Sequence, residues 1–235
     1  MRIHGTFGMV VCASALMALP TVVQSLREQN LALCKGDDIG RKMYGCSALI
    51  DSGTEDADTL AIAYQNRGDA LETNGQLDLA IRDYDEALKR NAASAAALAG
   101  RGAALAQKTE FDRALTDLDA ALKADPKNAK ALANRGYVRS RKKELDGAIE
   151  DFSEAIKLDA NDEKTFRWRA IAYREKGQYE QAIHDCDEAL QLDPNDALAY
   201  YVRGTSKQKK GDKSGAKADI AAAKQLDLKV DKQPI

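Results

Sequence analysis

Two histidines, four cysteines and 37 carboxylates are the side chains with which this sequence of 235 residues could do acid–base, nucleophilic or metal chemistry. His4 lies near the chain start and His184 at a helical position expected to face solvent, so no histidine-based dyad can be assembled. Cys12, Cys34, Cys46 and Cys186 form no Cys-x-x-Cys motif, and two cysteines without a nearby histidine make a poor zinc site. No glycine-rich phosphate loop is present. The residue types thus imply no catalytic group, no metal and no cofactor. Lys and Arg total 35 against 37 acids, a net charge of -2, which leaves no overall field to attract nucleic acid. The basic runs Arg139-Ser-Arg-Lys-Lys143 and Lys207-Gln-Lys-Lys210 are expected to project as a solvated edge.

The carboxylates follow a period. Displacing the chain against itself by 34 residues superimposes Asp83, Asp117, Asp151, Asp185 and Asp219, and with them Arg67, Arg101, Arg135, Arg169 and Arg203. Three small-residue columns keep step: Gly68, Gly102, Gly136, Ala170 and Gly204; Ala80, Ala114, Ala148, Ala182 and Ala216; Ala87, Ala121, Ala155, Ala189 and Ala223. Apolar side chains fill two more, Tyr64, Leu98, Leu132, Phe166 and Tyr200, then Tyr84, Leu118, Phe152, Cys186 and Ile220. Counted from Ala61, the copies are 61–94, 95–128, 129–162, 163–196 and 197–230, each with two apolar-periodic stretches of helical spacing. Each copy is therefore a helical hairpin, and the small columns mark where backbones approach closely.

Opposed in such a hairpin, the seventh and twenty-third positions should form structural, bidentate ion pairs: Arg67 with Asp83, Arg101 with Asp117, Arg135 with Asp151, Arg169 with Asp185, and Arg203 with Asp219. Ser94, Asn128, Asp162 and Asp196 close successive copies as N-caps, with Pro126 and Pro194 two residues earlier. Gly75, Gly177 and Gly211 mark turns within copies. Lys217 and Lys224 replace apolar residues of the other copies, so the fifth copy is read as the end of the stack, followed by a frayed tail at 231–235. Residues 26–60 are read as an N-terminal cap containing one amphipathic helix near 43–50, stapled by a Cys34–Cys46 disulfide, while Cys186 sits on a core position as a small hydrophobe.

In length, in its small and large columns and in its Asp-Pro terminators, the array resembles the tetratricopeptide repeat family over about residues 61–230. Arg at the seventh position, as in Asn66-Arg67-Gly68 and Asn134-Arg135-Gly136, departs from the general pattern and resembles a sub-variety of it. The resemblance implies an all-α, right-handed superhelical solenoid and a concave groove lined by the first helix of each repeat. Groove positions hold Gln65, Asn66, Asp69 and Glu72 in the first repeat, and Ala96, Ala99, Gly100 and Ala103 in the second. The last three repeats offer Lys130, Asn134, Tyr137, Arg141, Lys164, Arg167, Trp168, Arg174 and Tyr201, the cation–aromatic mixture of binding hot spots. The Lys-Asn set with which some family members hold acidic chaperone C-termini is absent, its places including Gln65, Asp69, Ala99 and Gly100. The expectation is a non-catalytic scaffold binding a protein, peptide or helix, acidic and with an apolar anchor. A regulator of envelope assembly or proteolysis acting through several surfaces is a second reading, and a hydrolase a third.

Ahead of the array, Arg2 and an apolar run from about Phe7 to Leu19, ended by Pro20, resemble a secretory signal peptide over 1–25, with Val23 and Ser25 in the small-residue cleavage pattern. The run is short for a bilayer span, so the expectation is an exported, periplasmic or secreted protein with no membrane span after cleavage; retention as an anchor is the alternative.

Overall fold

The computed structural model describes residues 14–228 and 230–232; His4, Cys12 and most of the expected leader lie outside them. The described residues contain twelve α-helices in six successive hairpins: α1 (Ser14–Lys35) with α2 (Ile39–Ser52), α3 (Ala57–Thr73) with α4 (Leu77–Arg90), α5 (Ala95–Gln107) with α6 (Phe111–Ala124), α7 (Ala129–Arg141) with α8 (Leu145–Leu158), α9 (Glu163–Glu175) with α10 (Tyr179–Leu192), and α11 (Ala197–Lys210) with α12 (Lys213–Leu226). The architecture is all-helical, a solenoid of stacked hairpins.

Local chemistry sets the boundaries. Ser94, Asn128, Asp162 and Asp196 each accept a first-turn backbone N–H, from Ala97 (3.3 Å), Ala131 (3.0 Å), Lys164 (3.2 Å) and Ala199 (3.0 Å). Each such cap contributes about 1 kcal/mol. Within hairpins the first helix ends in a Schellman turn, whose left-handed residue is Gly75 (φ 72°), Gly177 (φ 75°) or Gly211 (φ 94°). Thr109 (φ 61°) and Lys143 (φ 66°) hold the same place without glycine, a conformation that costs an L-residue about 1–2 kcal/mol.

The small columns work as a size code. A Cβ on Gly68, Gly102 or Gly136 would fall 2.7–2.8 Å from the side chain of Tyr84, Leu118 or Phe152 respectively. Only the fourth repeat has alanine there, Ala170, and it faces the smallest partner of its column, the buried Cys186. Burial raises the Cys186 thiol pKa, which keeps it protonated and unreactive.

The five Arg–Asp pairs form as bidentate bridges, for example Arg101 Nε and Nη2 to Asp117, both 2.7 Å. Each arginine also does something the hairpin picture omits: its third nitrogen reaches back to the preceding hairpin. Nη1 of Arg101, Arg135 and Arg203 donates to Asp85 (2.6 Å), Asp119 (2.8 Å) and Asp187 (2.6 Å), while Arg67 and Arg169 reach Ser47 and Ser153, both at 3.1 Å. A second ladder runs along the turn edge, pairing Lys108 with Asp78, Lys142 with Asp112, Lys176 with Asp146 and Lys210 with Glu180. The basic runs lie along a largely exposed edge, but most of their cations are paired. Lys142 and Lys210 belong to this ladder, Lys143 pairs with Glu175, and Arg139 and Lys207 pair with Asp151 and Asp219.

Two further expectations change at the ends. The cap has two helices, because Cys34, Cys46 and Leu49 form a buried cluster that needs α1 as well as α2. The disulfide lies 34 residues before Gly68 and Ala80, so the cysteines occupy the two close-approach columns of a hidden sixth frame, at a Cα separation of 4.6 Å. Its turn comes four residues early, about one helical turn, with α2 starting at Ile39 where the frame of α4 would start it at Met43. At the other end Val230 is fully buried against α11 and α12, and a short 3-10 turn over Val230–Lys232 folds back, with Lys224 bonded to Asp231. The start of the tail is thus pinned by an apolar side chain.

Candidate binding groove

Helices α3, α5, α7, α9 and α11 stand side by side, and two adjoining depressions open between α7 and α9. The larger, about 660 Å³, has a floor of Ala103, Ala106, Ala129, Ala133 and Ala155, and an end wall of Tyr137 and Trp168. Alanines on α5 and α7 give that smoothness because the two helices pack closely there. The smaller, about 330 Å³, lies beyond the wall, between Tyr137, Trp168, Ile171, Leu198 and the polar groups of Ser140, Arg141, Lys143 and Glu175.

Trp168 is half-buried. Its ring meets Tyr137 at 5.1 Å and Phe152 at 6.2 Å between centroids, so it packs between repeats and also presents an edge to both depressions. Arg141 lies over Tyr137, 5.9 Å from its centroid, and donates to its hydroxyl at 3.2 Å. Lys164 is exposed on the first turn of α9.

Of the expected groove residues, Lys130, Asn134, Tyr137, Lys164, Arg167 and Trp168 line the larger depression together. Arg174 and Tyr201 line neither. Arg174 turns toward Thr205, and burial pulls its guanidinium below its ordinary pKa despite Glu175 and Tyr201 nearby. Arg167 lines the wall but is committed: it bonds Asp196, the buried N-cap of α11, while its Nε is buried without a hydrogen-bond partner. It therefore joins the fourth and fifth repeats and is not a free cation.

The far rim joins Glu72, a groove position of the first repeat, to Tyr84, which its apolar column placed in the core. Tyr84 is fully buried, but Gly100 lets its ring pass, since a Cβ there would lie 2.5 Å from Tyr84 Cζ. Its hydroxyl donates to Asp69 (2.7 Å) and sits 3.2 Å from Glu72, which also accepts from Gln107 (2.9 Å) and lies 3.6 Å from Lys130. Burial first, then the two carboxylates, push the phenol pKa far up, so Tyr84 stays a neutral donor. The glycine at a groove position was the signal that a neighbour's large side chain comes through. Asp162, also at the rim, accepts from Lys164 N and Thr165 Oγ1, so its carboxylate is occupied. Among the described residues no three potential metal ligands cluster, and no helix is long and apolar enough to cross a membrane.

A solenoid of hairpins with a lined inner groove defines a class of helical-repeat protein. Family models described as tetratricopeptide repeat match residues 61–94 and 104–163, and one described as TPR repeat matches 170–211. The chain belongs to the tetratricopeptide-repeat family. No curated protein matches it. Among solved structures it is similar to YrrB, described as a TPR protein with an unusual peptide-binding site, at 23% identity and TM-score 0.58 over 78% of this chain and 92% of that one. It is also similar to MamA from Desulfovibrio magneticus RS-1, at 23% identity and TM-score 0.61 over 72% and 95%. A third, a tetratricopeptide repeat protein from Parabacteroides merdae, gives 19% and 0.64 over 90% and 86%. At these identities the likeness is one of fold.

Proposed function

We propose that this chain is an exported, bacterial-type adaptor of the Asn-Arg-Gly sub-variety, without catalysis of its own, which holds an acidic peptide segment by an apolar anchor between its third and fourth repeats. The observation that carries this reading is the larger depression: an alanine floor, an aromatic end wall and the exposed Lys164 at its mouth. An apolar side chain gains from the floor and wall, and a carboxylate from the lysine. The peptide-binding site named for the structurally similar YrrB is in keeping with it.

Export is supported by the apolar leader and by the Cys34–Cys46 disulfide, which suits an oxidising compartment. Cleavage before Leu26 would divide α1, and the contacts of that helix favour the cut. Val22 and Val23 are exposed, whereas Arg27, just beyond, forks onto Glu55 at 2.7–3.0 Å.

The test is fluorescence anisotropy with a labelled peptide bearing one phenylalanine among glutamates, and with the same peptide carrying lysines instead. The glutamate peptide should bind the wild type, and the variant Trp168→Ala/Lys164→Glu should bind it at least about tenfold more weakly, with unchanged helicity. Equal binding by both proteins, or preference for the lysine peptide, refutes the assignment.

A further inference from the structure

The two depressions share the Tyr137–Trp168 wall, and each carries one cation without a carboxylate partner among the described residues: Lys164 on one side, Arg141 on the other. Other charges nearby are committed. Lys143 is bonded to Glu175, and Arg167 to Asp196, while Lys130 leans on Glu72.

Resting on the groove reading above, we propose that the site is bipartite and measures the spacing of two acidic residues in its peptide. One carboxylate meets Lys164, the other meets Arg141, and an aromatic or branched apolar side chain between them crosses the wall. The register follows from the repeat. Lys164 is the second residue of α9 and Arg141 the last of α7; these helices occupy equivalent places in consecutive repeats and run parallel. Positions two and thirteen of such helices are about 16 Å apart along the axis at 1.5 Å per residue. The two helices also lie about 8–10 Å apart, which makes the separation about 19 Å in all, and an extended chain advancing about 3.3 Å per residue should carry its acids about six residues apart. The Lys143–Glu175 pair beside Arg141 is already closed, so the second depression offers one net positive charge. In the first, Lys130 and Arg167 are paired, Asp159 and Asp162 are turned onto donors of the α8–α9 turn, and Lys164 is the cation left without a carboxylate partner. Two separated single charges discriminate by spacing, whereas one clustered patch would count charges only.

The experiment titrates the full chain with capped alanine–serine peptides carrying one central phenylalanine and two glutamates placed two to eight residues apart. Trp168 is the only tryptophan of the sequence and stands at the site, so its intrinsic fluorescence reports binding directly, with calorimetry as the check. Affinity should peak at a separation of about six, about tenfold above the shortest separation. Lys164→Gln and Arg141→Gln, both at exposed positions, should each lower the peak about two- to fivefold and flatten the dependence on spacing. Binding that follows the number of glutamates but not their spacing overturns the bipartite site and leaves the groove reading standing. No binding by any peptide of the series overturns both.

Discussion

Replacing Arg101 by alanine should unfasten two hairpins at once. The guanidinium makes three short bonds, two to Asp117 and one to Asp85, and hydrogen bonds to charged groups contribute about 1.5–3 kcal/mol each when fully desolvated. The carboxylate left behind, Asp117, has only 9% of its side chain exposed, and breaking a buried ion pair costs about 3–5 kcal/mol. Arg101 is itself about a quarter exposed, at 23%, so water can partly replace it; the expected loss is about 3 kcal/mol. Asp117→Ala leaves the arginine its bond to Asp85 and should cost about 2 kcal/mol. Asp85→Ala removes a partner that is 44% exposed and should cost about 0.5 kcal/mol. Urea unfolding followed by circular dichroism supplies all three values. Because stability in a solenoid is a sum of hairpin and interface contributions, Arg101→Ala should also lower the m-value as the hairpins on either side melt separately. If Arg101→Ala costs less than about 1 kcal/mol with the m-value unchanged, or if Asp85→Ala matches it, the inter-repeat role of the arginine column is wrong.

Two further outcomes can be measured on the same samples. Burial works to raise the Asp219 carboxyl pKa, but hydrogen bonds from Arg203 and Lys207 outweigh it and hold the group below its ordinary value. Its contribution to stability is therefore complete above the unfolded value of about 4 and is lost as pH falls toward the depressed folded one, so Asp219→Asn should flatten the stability curve below about pH 4 and leave its upper limb parallel to wild type. A wild-type acid limb in the variant counts against the pairing. In the cap, Cys34→Gly/Cys46→Ala restores the residue types that Gly68 and Ala80 hold one frame later, so packing is kept while the cross-link is lost. Denaturant titration should show a loss of about 3 kcal/mol for closing a loop of this length, and reduction of the wild type should give a similar shift. A much larger loss in the variant would mean that the sulfur atoms also pack where glycine and alanine cannot.

What the sequence disclosed was what repeats. Five copies of Arg and Asp at fixed offsets made the hairpin pairing readable, because both members of each pair belong to one period. The bonds from Arg101 to Asp85 and from Lys142 to Asp112 cross from one copy to the next, and nothing in a single hairpin's register announces them. The cap hid for a related reason. Leu33 and Leu49 stand where the other frames have Arg and Asp, and the early turn shifts the start of α2 by a helical turn, so the Arg–Asp signature by which the other copies are found is missing. The residues after Val230 read in sequence as a frayed tail because a returning turn leaves no periodic trace. In the groove, periodicity found the lining positions but not the commitments of their side chains. Arg167 looked free until Asp196, an N-cap of the next repeat, proved to be its partner.

These crossing bonds bear on how the groove could recognise anything. From the second repeat onward each hairpin is tied to its predecessor on the hairpin face by an arginine and on the turn edge by a lysine, which fixes the angle between neighbouring first helices and so the width between them. A groove held at its bound width loses less entropy on binding than one that must be closed. The arginine ties are not uniform, however. At the junction of the third and fourth repeats Arg169 meets the neutral Ser153, where Arg101, Arg135 and Arg203 meet aspartates. Both depressions open at that same junction, and the stacking of Trp168 on Tyr137 and Phe152 spans it. A serine is a weaker tether than a carboxylate. The aromatic contact therefore adds to the Lys143–Glu175 and Lys176–Asp146 pairs in coupling these two repeats, and a peptide that engages Trp168 engages the seam that sets the width of its own site.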